Sequence, residues 1–480
     1  MRHHGSPRGF VGRSDQLKRF ETALAQAATG VPTVFVVTGE AGVGKSRLVE
    51  QWLAAADAAD AVAMVGHCVQ LEHASFPYAP VVEAVRSLVR QRGAAEVRRL
   101  LGRGCEAFAE LVPELDTGPL GASTPGAWGQ GQLFEAMLGL LHRLGTESAG
   151  RGVVAVIEDL HWADGATLEL LNYVVRNVTG SPVVMVLTAR DELALGHPLR
   201  LWTAELLRVE AVERVSLAGF GRADTADLLT LRAGEPQPAA LVEDIYRRSD
   251  GNPFLIEELF EVTRRGGAPI MPTLRDTVMG RVGTLTPSAR HLLDVVAVGG
   301  GRVPSALLET VVDMTPAAWR VALTETTSAP VLVADGDTYG FRHAAFAESV
   351  YDAMLVSERT RLHARYAAAI ETRPELAGAG SEAQMAAHWL AAGVAERALP
   401  AAVGAAEAAE RLHAPADALA QWDAALGLLR AGPNLAAQSG LDEVELVASA
   451  AEAANRAGRV DRAVDLVRDA LVGVDRHAEP

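Results

Sequence analysis

The chain has 480 residues, 49% of them hydrophobic and 22% charged, with a formal net charge of −16. That length exceeds one hydrophobic core and asks for two to four packed domains, and the apolar balance excludes a disordered or fibrous chain. The acidic excess argues against non-specific nucleic-acid binding, which draws its affinity mostly from lysine and arginine on phosphate. No apolar run reaches the roughly 20 residues needed to span a bilayer, and Met1-Arg2-His3-His4-Gly5 lacks the apolar stretch of a signal peptide. A cytoplasmic protein with no membrane contact is therefore expected. Its cysteines, Cys68 and Cys105, have no metal-ligand spacing and read as reduced, part-buried thiols.

In chain order, Phe10-Val11-Gly12-Arg13 reads as a loop leading into an amphipathic helix with Leu17, Phe20 and Leu24 on one face. Thr33 to Thr38 is a β-branched run between Pro32 and Gly39, as expected of a strand buried on both faces. Further apolar runs lie at Ala61 to Val65, Val153 to Ile157, Val183 to Leu187 and Val212 to Leu217, separated by helical periods at Pro80 to Arg90 and Leu133 to Leu144. Strands alternating with helices imply a parallel α/β sheet covered by helices on both faces. Gly102 to Gly131 breaks this rhythm with Gly and Pro and reads as a loop-rich insertion.

Beyond Gly219 the pattern turns helical at Asp224 to Arg232, Ala239 to Arg248 and Phe254 to Arg264, a small helical lid around Gly251-Asn252-Pro253. Residues 274–355 read as helices ending in a hairpin, Val331 to Ala334 and Thr338 to Phe341 about Asp335-Gly336-Asp337, which suggests a winged helix. From 356 onward alanine-rich helices dominate. Ala406-Glu407-Ala408-Ala409 returns as Ala451-Glu452-Ala453-Ala454, and Arg411, Ala418, Ala425 and Leu426 as Arg456, Ala463, Ala470 and Leu471. This small-residue repeat is of the tetratricopeptide kind. The expected division is 1–218, 219–273, 274–355 and 356–480. The last repeat shows no polar capping helix, so exposed apolar surface is expected there if nothing follows.

Gly39-Glu40-Ala41-Gly42-Val43-Gly44-Lys45-Ser46 has the chemistry of a phosphate-binding loop. Its glycines let successive backbone N–H groups turn to one anion, Lys45 reaches the outer phosphates, and the Ser46 hydroxyl suits Mg²⁺. A strand before it and a helix after it, starting Lys45-Ser46-Arg47, complete the context for ATP or ADP. Only Lys18 and Lys45 occur among 44 basic residues, so the lysine in the loop is no accident of composition. Glu158 and Asp159 end the run Val153 to Ile157 and supply the carboxylates such a site needs for the metal and for the attacking water. Arg190 follows the run Val183 to Leu187 and either senses a γ-phosphate or is a solvated loop arginine. His343, in Phe341-Arg342-His343, is by itself more often a structural histidine.

Phe10 to Arg13, Gly39 to Ser46, Ile157-Glu158-Asp159-Leu160-His161-Trp162-Ala163-Asp164, Thr188-Ala189-Arg190 and Gly251-Asn252-Pro253-Phe254 together resemble the signal-transducing ATPases with numerous domains (STAND). Among them the large ATP-binding LuxR-type regulators are the nearest subgroup. The resemblance implies an AAA-like nucleotide domain, helical lid, winged helix and helical-repeat sensor in this order. It places Val11, Gly12 and Arg13 near adenine and ribose, Pro253 against the base, Arg190 as sensor arginine, and His343 at the β-phosphate of ADP. The chain departs from the family at Glu158, where aspartate is usual. Either Glu158 serves the metal and Asp159 polarises water, or Asp159 serves the metal and hydrolysis is very slow or absent. No DNA-reading element is visible in the stretch to Pro480.

The function these features suggest is an ATP/ADP switch with slow hydrolysis, part of a transcriptional regulator. An unknown inducer, protein or small molecule, would act at the helical repeats, and ATP would favour an open, self-assembling form. The alternatives are a partner-binding scaffold with structural nucleotide and an origin-recognition-like DNA-binding ATPase.

Overall fold

The computed structural model describes residues 9–477 apart from 69–75, 116–128, 148–150, 192, 195, 265–273, 330, 379, 433–434 and 436–438. The leader Met1 to Gly5, the centre of the Gly102 to Gly131 stretch and the end at Pro480 lie outside the described residues.

Five strands form one parallel sheet: β1 (Thr33–Gly39), β2 (Val62–His67), β3 (Val153–Glu158), β4 (Val183–Ala189) and β5 (Val212–Leu217), in the order β2-β3-β4-β1-β5. All pairings are parallel, with Val36 opposite Leu187 and Arg214, and Ile157 opposite Leu187. Every residue of β1, β3 and β4 is buried, which is why these runs are apolar throughout instead of alternating. One face carries α1 (Ser14–Ala27) and α2 (Lys45–Ala58), where Phe20 stacks on Trp52 at 5.0 Å and Phe35 tilts against it at 5.1 Å. The other carries α3 (Ala79–Arg92), α6 (Gln130–Glu147) and α7 (Gly165–Asn177). Because the strands are parallel, the carboxyl ends of β1, β3 and β4 open on one edge, the usual place for a ligand in such sheets.

The expected loop-rich insertion is corrected in part. Between β2 and β3, α4 (Ala94–Leu101) is followed by a 3-10 turn, α5 (Cys105–Ala109) and a second turn at Pro113–Leu115. Phe108, Leu111, Val112 and Leu115 from this stretch enter the main core. Glycine and proline at short spacing hid these core residues among turn signals.

After α8 (Pro198–Leu206) and β5, three helices pack on one another: α9 (Arg222–Ala233), α10 (Ala239–Ser249) and α11 (Pro253–Arg264), around Leu229, Ile245, Ile256 and Phe260. The next unit comprises α12 (Leu274–Gly283), α13 (Pro287–Val298), β6 (Arg302–Pro304), α14 (Ser305–Val311), α15 (Pro316–Ser328), β7 (Leu332–Asp335), β8 (Thr338–Phe341) and α16 (Ala344–Ala353). Its strands form an antiparallel sheet in the order β6-β8-β7. The hairpin was legible in the sequence, whereas β6, three residues with no alternation, was not.

Among the described residues six helices follow: α17 (Val356–Thr372), α18 (Ser381–Ala391), α19 (Ala395–Arg411), α20 (Pro415–Ala431), α21 (Glu443–Arg456) and α22 (Val460–His477). The sequence repeat falls on alternate members, α19 with α21 and α20 with α22, and most of its alanines, such as Ala406, Ala409, Ala453 and Ala454, are buried where the helices approach. The first members also pack on the core beside α7, where Asp417 accepts a hydrogen bond from the Ala166 backbone N–H at 3.0 Å. Leu426 is 2% exposed while its repeat partner Leu471 is 61% exposed, so α22 presents the apolar surface expected of an uncovered repeat. No described helix is long and apolar enough to cross a membrane.

Where α16, α17 and α18 meet, Tyr351 Oη lies 2.9 Å from His363 Nε2, and His363 Nδ1 lies 2.8 Å from His388 Nδ1. One imidazole donates and the other accepts, and the His388 ring stacks on Tyr366 at 4.8 Å. Burial, then the neighbouring His363, push His388 down to about 3. Its folded-state value thus lies below the ordinary one near 6.5, so the unfolded chain takes up the proton first. The stability it contributes is complete above about pH 6.5 and is lost as pH falls toward 3. At pH 5 the expected loss is about 2 kcal/mol. Urea midpoints at pH 7.5 and pH 5 check this: His388→Phe, which keeps the stack on Tyr366, is expected to show a smaller acid-induced drop than the parent, and an equal drop refutes the assignment.

Candidate nucleotide-binding site

The loop after β1 turns back on itself through glycines at positive φ, Gly42 at 79° and Gly44 at 98°. Gly42 is also required by space: a Cβ there would stand 2.9 Å from Asn252 Oδ1 and 3.0 Å from Phe254 Cβ. Val43 points into the core between α1 and β5, pinning the loop, while Glu40 is exposed and Ala41 half-buried. Lys45, only 8% exposed, opens α2, and its ammonium donates to the carbonyls of Gly39 at 2.8 Å and Glu40 at 2.9 Å. Burial lowers its pKa, with Asp159 the strongest opposing charge. Arg47 runs along α2 to Glu50 at 3.4 Å.

Glu158 and Asp159, adjacent in sequence, have different neighbours. Glu158 ends β3, is 7% exposed and lies 3.7 Å from His67 Nε2, with Ser46 near enough to favour its charged form. Burial raises its pKa, against the pull of His67 and Ser46. Asp159 follows in a left-handed conformation, φ 60°, at a cost of about 1 kcal/mol that aspartate bears better than most residues. Its backbone N–H donates to Thr188 Oγ1 at 2.9 Å. Burial raises its pKa too, and the opposing charges are Lys45 first and Arg190 second. Glu158 therefore belongs with Ser46, and Asp159 with Lys45 and Arg190. The paired oxygens of Ser46 and Glu158 suit a hard cation such as Mg²⁺.

Val11, Gly12 and Arg13 sit beside the loop. Val11 packs on the α9–α11 core, and Arg13 donates to the carbonyls of Ala218 at 2.5 Å and Val43 at 3.4 Å while its guanidinium lies 5.0 Å over the Phe220 ring. Pro253 is the first residue of α11. Beside it, Asn252 donates from Nδ2 to Ala41 O at 2.9 Å and accepts from the Phe254 backbone N–H at 3.1 Å, and Phe254 N donates to Gly42 O at 3.4 Å. Arg190 is held by Glu348 of α16. His343, just before α16, meets Phe254 edge-on at 5.2 Å and stacks on Phe346 at 6.3 Å, keeping solvent contact at the junction. Desolvation of the imidazole, then Arg342, Arg281, Arg232 and Arg47, lower its pKa, although the residue itself stays exposed. Its described ring contacts are with Phe254 and Phe346, not with the phosphate loop.

Sequence reasoning missed several members. Asn252 was read as part of a turn, and its bond to the loop has no local signal. His67 Nδ1 lies 3.0 Å from both Glu83 Oε1 and Arg302 Nη1, so the histidine beside Glu158 is shared by α3 and β6. His161 is buried, and neither of its ring nitrogens has a hydrogen-bond partner among the described residues.

Residues 9–186 match the AAA ATPase domain family. An uncharacterized protein of Rhizobium meliloti (strain 1021) is 25% identical over 429 residues, 82% of this chain and 40% of that protein. The solved structure of a STAND protein with a tetratricopeptide repeat sensor from Pyrococcus horikoshii superposes with a TM-score of 0.53 at 14% identity, covering 98% of this chain and 65% of that one. A Walker-type ATPase of Pyrococcus abyssi aligns with a TM-score of 0.36 at 14% identity, over 71% of this chain and 96% of that one. The chain thus spans only part of the first two proteins. It carries an AAA ATPase domain and has the fold of a STAND-class, AAA-like P-loop ATPase, with a predominantly helical carboxyl-terminal region.

The Asn252 bridge yields a direct expectation. Asn252→Ala removes both the bond to Ala41 and the cap on α11, and such a cap is worth about 1 kcal/mol. ADP affinity is expected to fall about fivefold to tenfold with the chain still folded. Titration calorimetry beside circular dichroism checks it, and unchanged affinity refutes the bridge.

Proposed function

We propose that the chain is an ATP/ADP-binding switch that hydrolyses ATP slowly, working as part of a transcriptional regulator. The observation that carries this reading is a continuous line of contact from the phosphate loop outward. Gly42 touches Phe254, and Phe254 packs on His343 and Phe346 of the following unit. A change at the phosphates is thus transmitted by packing to both units beyond the sheet, and a switch needs only that two nucleotides bind two arrangements with different affinity.

In this reading 1–218 is the nucleotide domain, 219–273 the lid, 274–355 a winged helix serving as an arm of the switch, and 356–480 a tetratricopeptide-like sensor. Lys45 and the loop N–H groups hold the phosphates, Val11, Gly12, Arg13 and Pro253 surround the base and ribose, and neutral His343 reaches ADP by hydrogen bonding and not by charge. Ser46 and Glu158 would hold Mg²⁺, which when bound neutralises phosphate charge. Asp159, beside Lys45, orients and deprotonates the attacking water, and Arg190 stabilises the γ-phosphate. The inducer acts on the helical array, whose Asp417 caps the amino end of α7, six residues of chain beyond Asp159. Opening with ATP then allows self-assembly. Glu158, longer by one methylene than the usual aspartate and drawn toward His67, favours the second reading, a scaffold with structural nucleotide.

Denaturing the purified chain, identifying the released nucleotide and following ATP turnover tests the choice. Co-purified ADP and turnover well below about 10 per second, a typical enzyme rate, are expected. Lys45→Ala is expected to lose nucleotide, and Asp159→Asn to keep it while losing turnover at least about 100-fold. Bound nucleotide with no turnover in the parent supports the scaffold.

A further inference from the structure

Arg190 and Glu348 are 158 residues apart in sequence, yet they meet as a two-pronged pair. Arg190 Nη1 donates to Glu348 Oε2 at 2.8 Å, and Nη2 donates to Oε1. Both side chains are partly buried where the end of β4 faces α16. The same guanidinium acts on the charges of Lys45 and Asp159, so it stands at the phosphate end of the site. Glu348 is fixed in turn, because Phe346 on the same helix packs edge-on against Phe254 at 5.6 Å, and Phe254 rests on Gly42.

We propose that Glu348 determines nucleotide specificity: its carboxylate takes the place of a γ-phosphate on Arg190, and this arrangement of the chain selects a nucleoside diphosphate over a triphosphate. The inference rests on reading Arg190 as the γ-phosphate arginine. A guanidinium offers a planar fork that one oxyanion satisfies through two parallel bonds. With the fork filled by Glu348, a third phosphate meets an arginine already neutralised and a second negative charge in a partly buried place, where screening is weak. A diphosphate ends short of this pair and leaves it intact. A triphosphate gains Arg190 only by displacing Glu348, which moves α16 and the His343 segment before it. Differential binding of this kind is what couples the identity of the nucleotide to the position of the 274–355 unit.

The test compares Mg-ADP and Mg-ATP-γ-S affinities, by competition with a fluorescent ADP, for the full chain and for Glu348→Gln, Glu348→Ala, Arg190→Ala and the double variant Arg190→Ala/Glu348→Gln. Glu348→Gln, nearly isosteric, is expected to raise the triphosphate-to-diphosphate affinity ratio on the order of tenfold, a usual size for coupling between two ligands of one group. Diphosphate affinity stays within about twofold. The gain is expected to vanish in the double variant, because it passes through the guanidinium. Glu348→Ala serves where the glutamine variant folds poorly and is expected to give the same sign. A ratio that both Glu348 variants leave unchanged, or a gain that survives without Arg190, overturns the inference and leaves the nucleotide switch standing. Failure of the parent chain to bind either nucleotide overturns both.

Discussion

The buried ammonium of Lys45 is the constraint around which the site is arranged. An isolated cation at such low exposure is costly, and its described bonds go to two backbone carbonyls, which lower the cost without neutralising the charge. Negative charge is therefore favoured beside it, and the carboxyl ends of the parallel strands supply it. Asp159 is the largest favourable charge on Lys45, and Lys45 the largest on Asp159. Both carboxyls remain above their ordinary range through burial. A buried cation beside two carboxyls whose ionisation burial disfavours is an environment that stabilises an added anion.

The second organising feature is that the units beyond the sheet touch the site through different residues. The segment before α11 reaches the loop backbone with Asn252, β6 reaches the histidine beside Glu158 with Arg302, α16 reaches Arg190 with Glu348, and α20 reaches the start of α7 with Asp417. None of these contacts is apolar packing alone. Each is a directional bond to a group near the phosphate end of the sheet, so a shift of any unit changes polar contacts within it. Directional bonds tolerate little displacement, so each of these contacts fixes the position of its unit more narrowly than apolar packing would.

Much of the fold was legible because the hydrophobic patterns were long and unmixed. Three of the five parallel strands, β1, β3 and β4, are such runs, ending in Gly39, Glu158-Asp159 and Thr188-Ala189-Arg190, and the sheet brings those ends together, whereas β5 is a mixed segment with Glu213 and Arg214 exposed. Short or punctuated elements were not legible: β6 has three residues, and Phe108 to Leu115 sit among turn-like glycine and proline. At the site, the glycine loop and the acids could be read because the chemistry of phosphate binding demands a local pattern. His67, Glu83, Arg302 and Glu348 could not, because each is an ordinary residue in its own segment and gains meaning only from a partner far along the chain.

The sequence by itself determined the local chemistry: which backbone can wrap a phosphate, which side chain carries the positive charge, and which strand delivers carboxylates. These properties depend on residues within a few positions of one another. Only the tertiary structure decided how the acids divide, Glu158 toward Ser46 and His67, Asp159 toward Lys45 and Arg190, because one left-handed residue sets the two carboxylates in different surroundings. It alone decided that Arg190 is paired with a residue from beyond the sheet. Electrostatic partners are fixed by distance in space, and sequence separation carries no record of that distance.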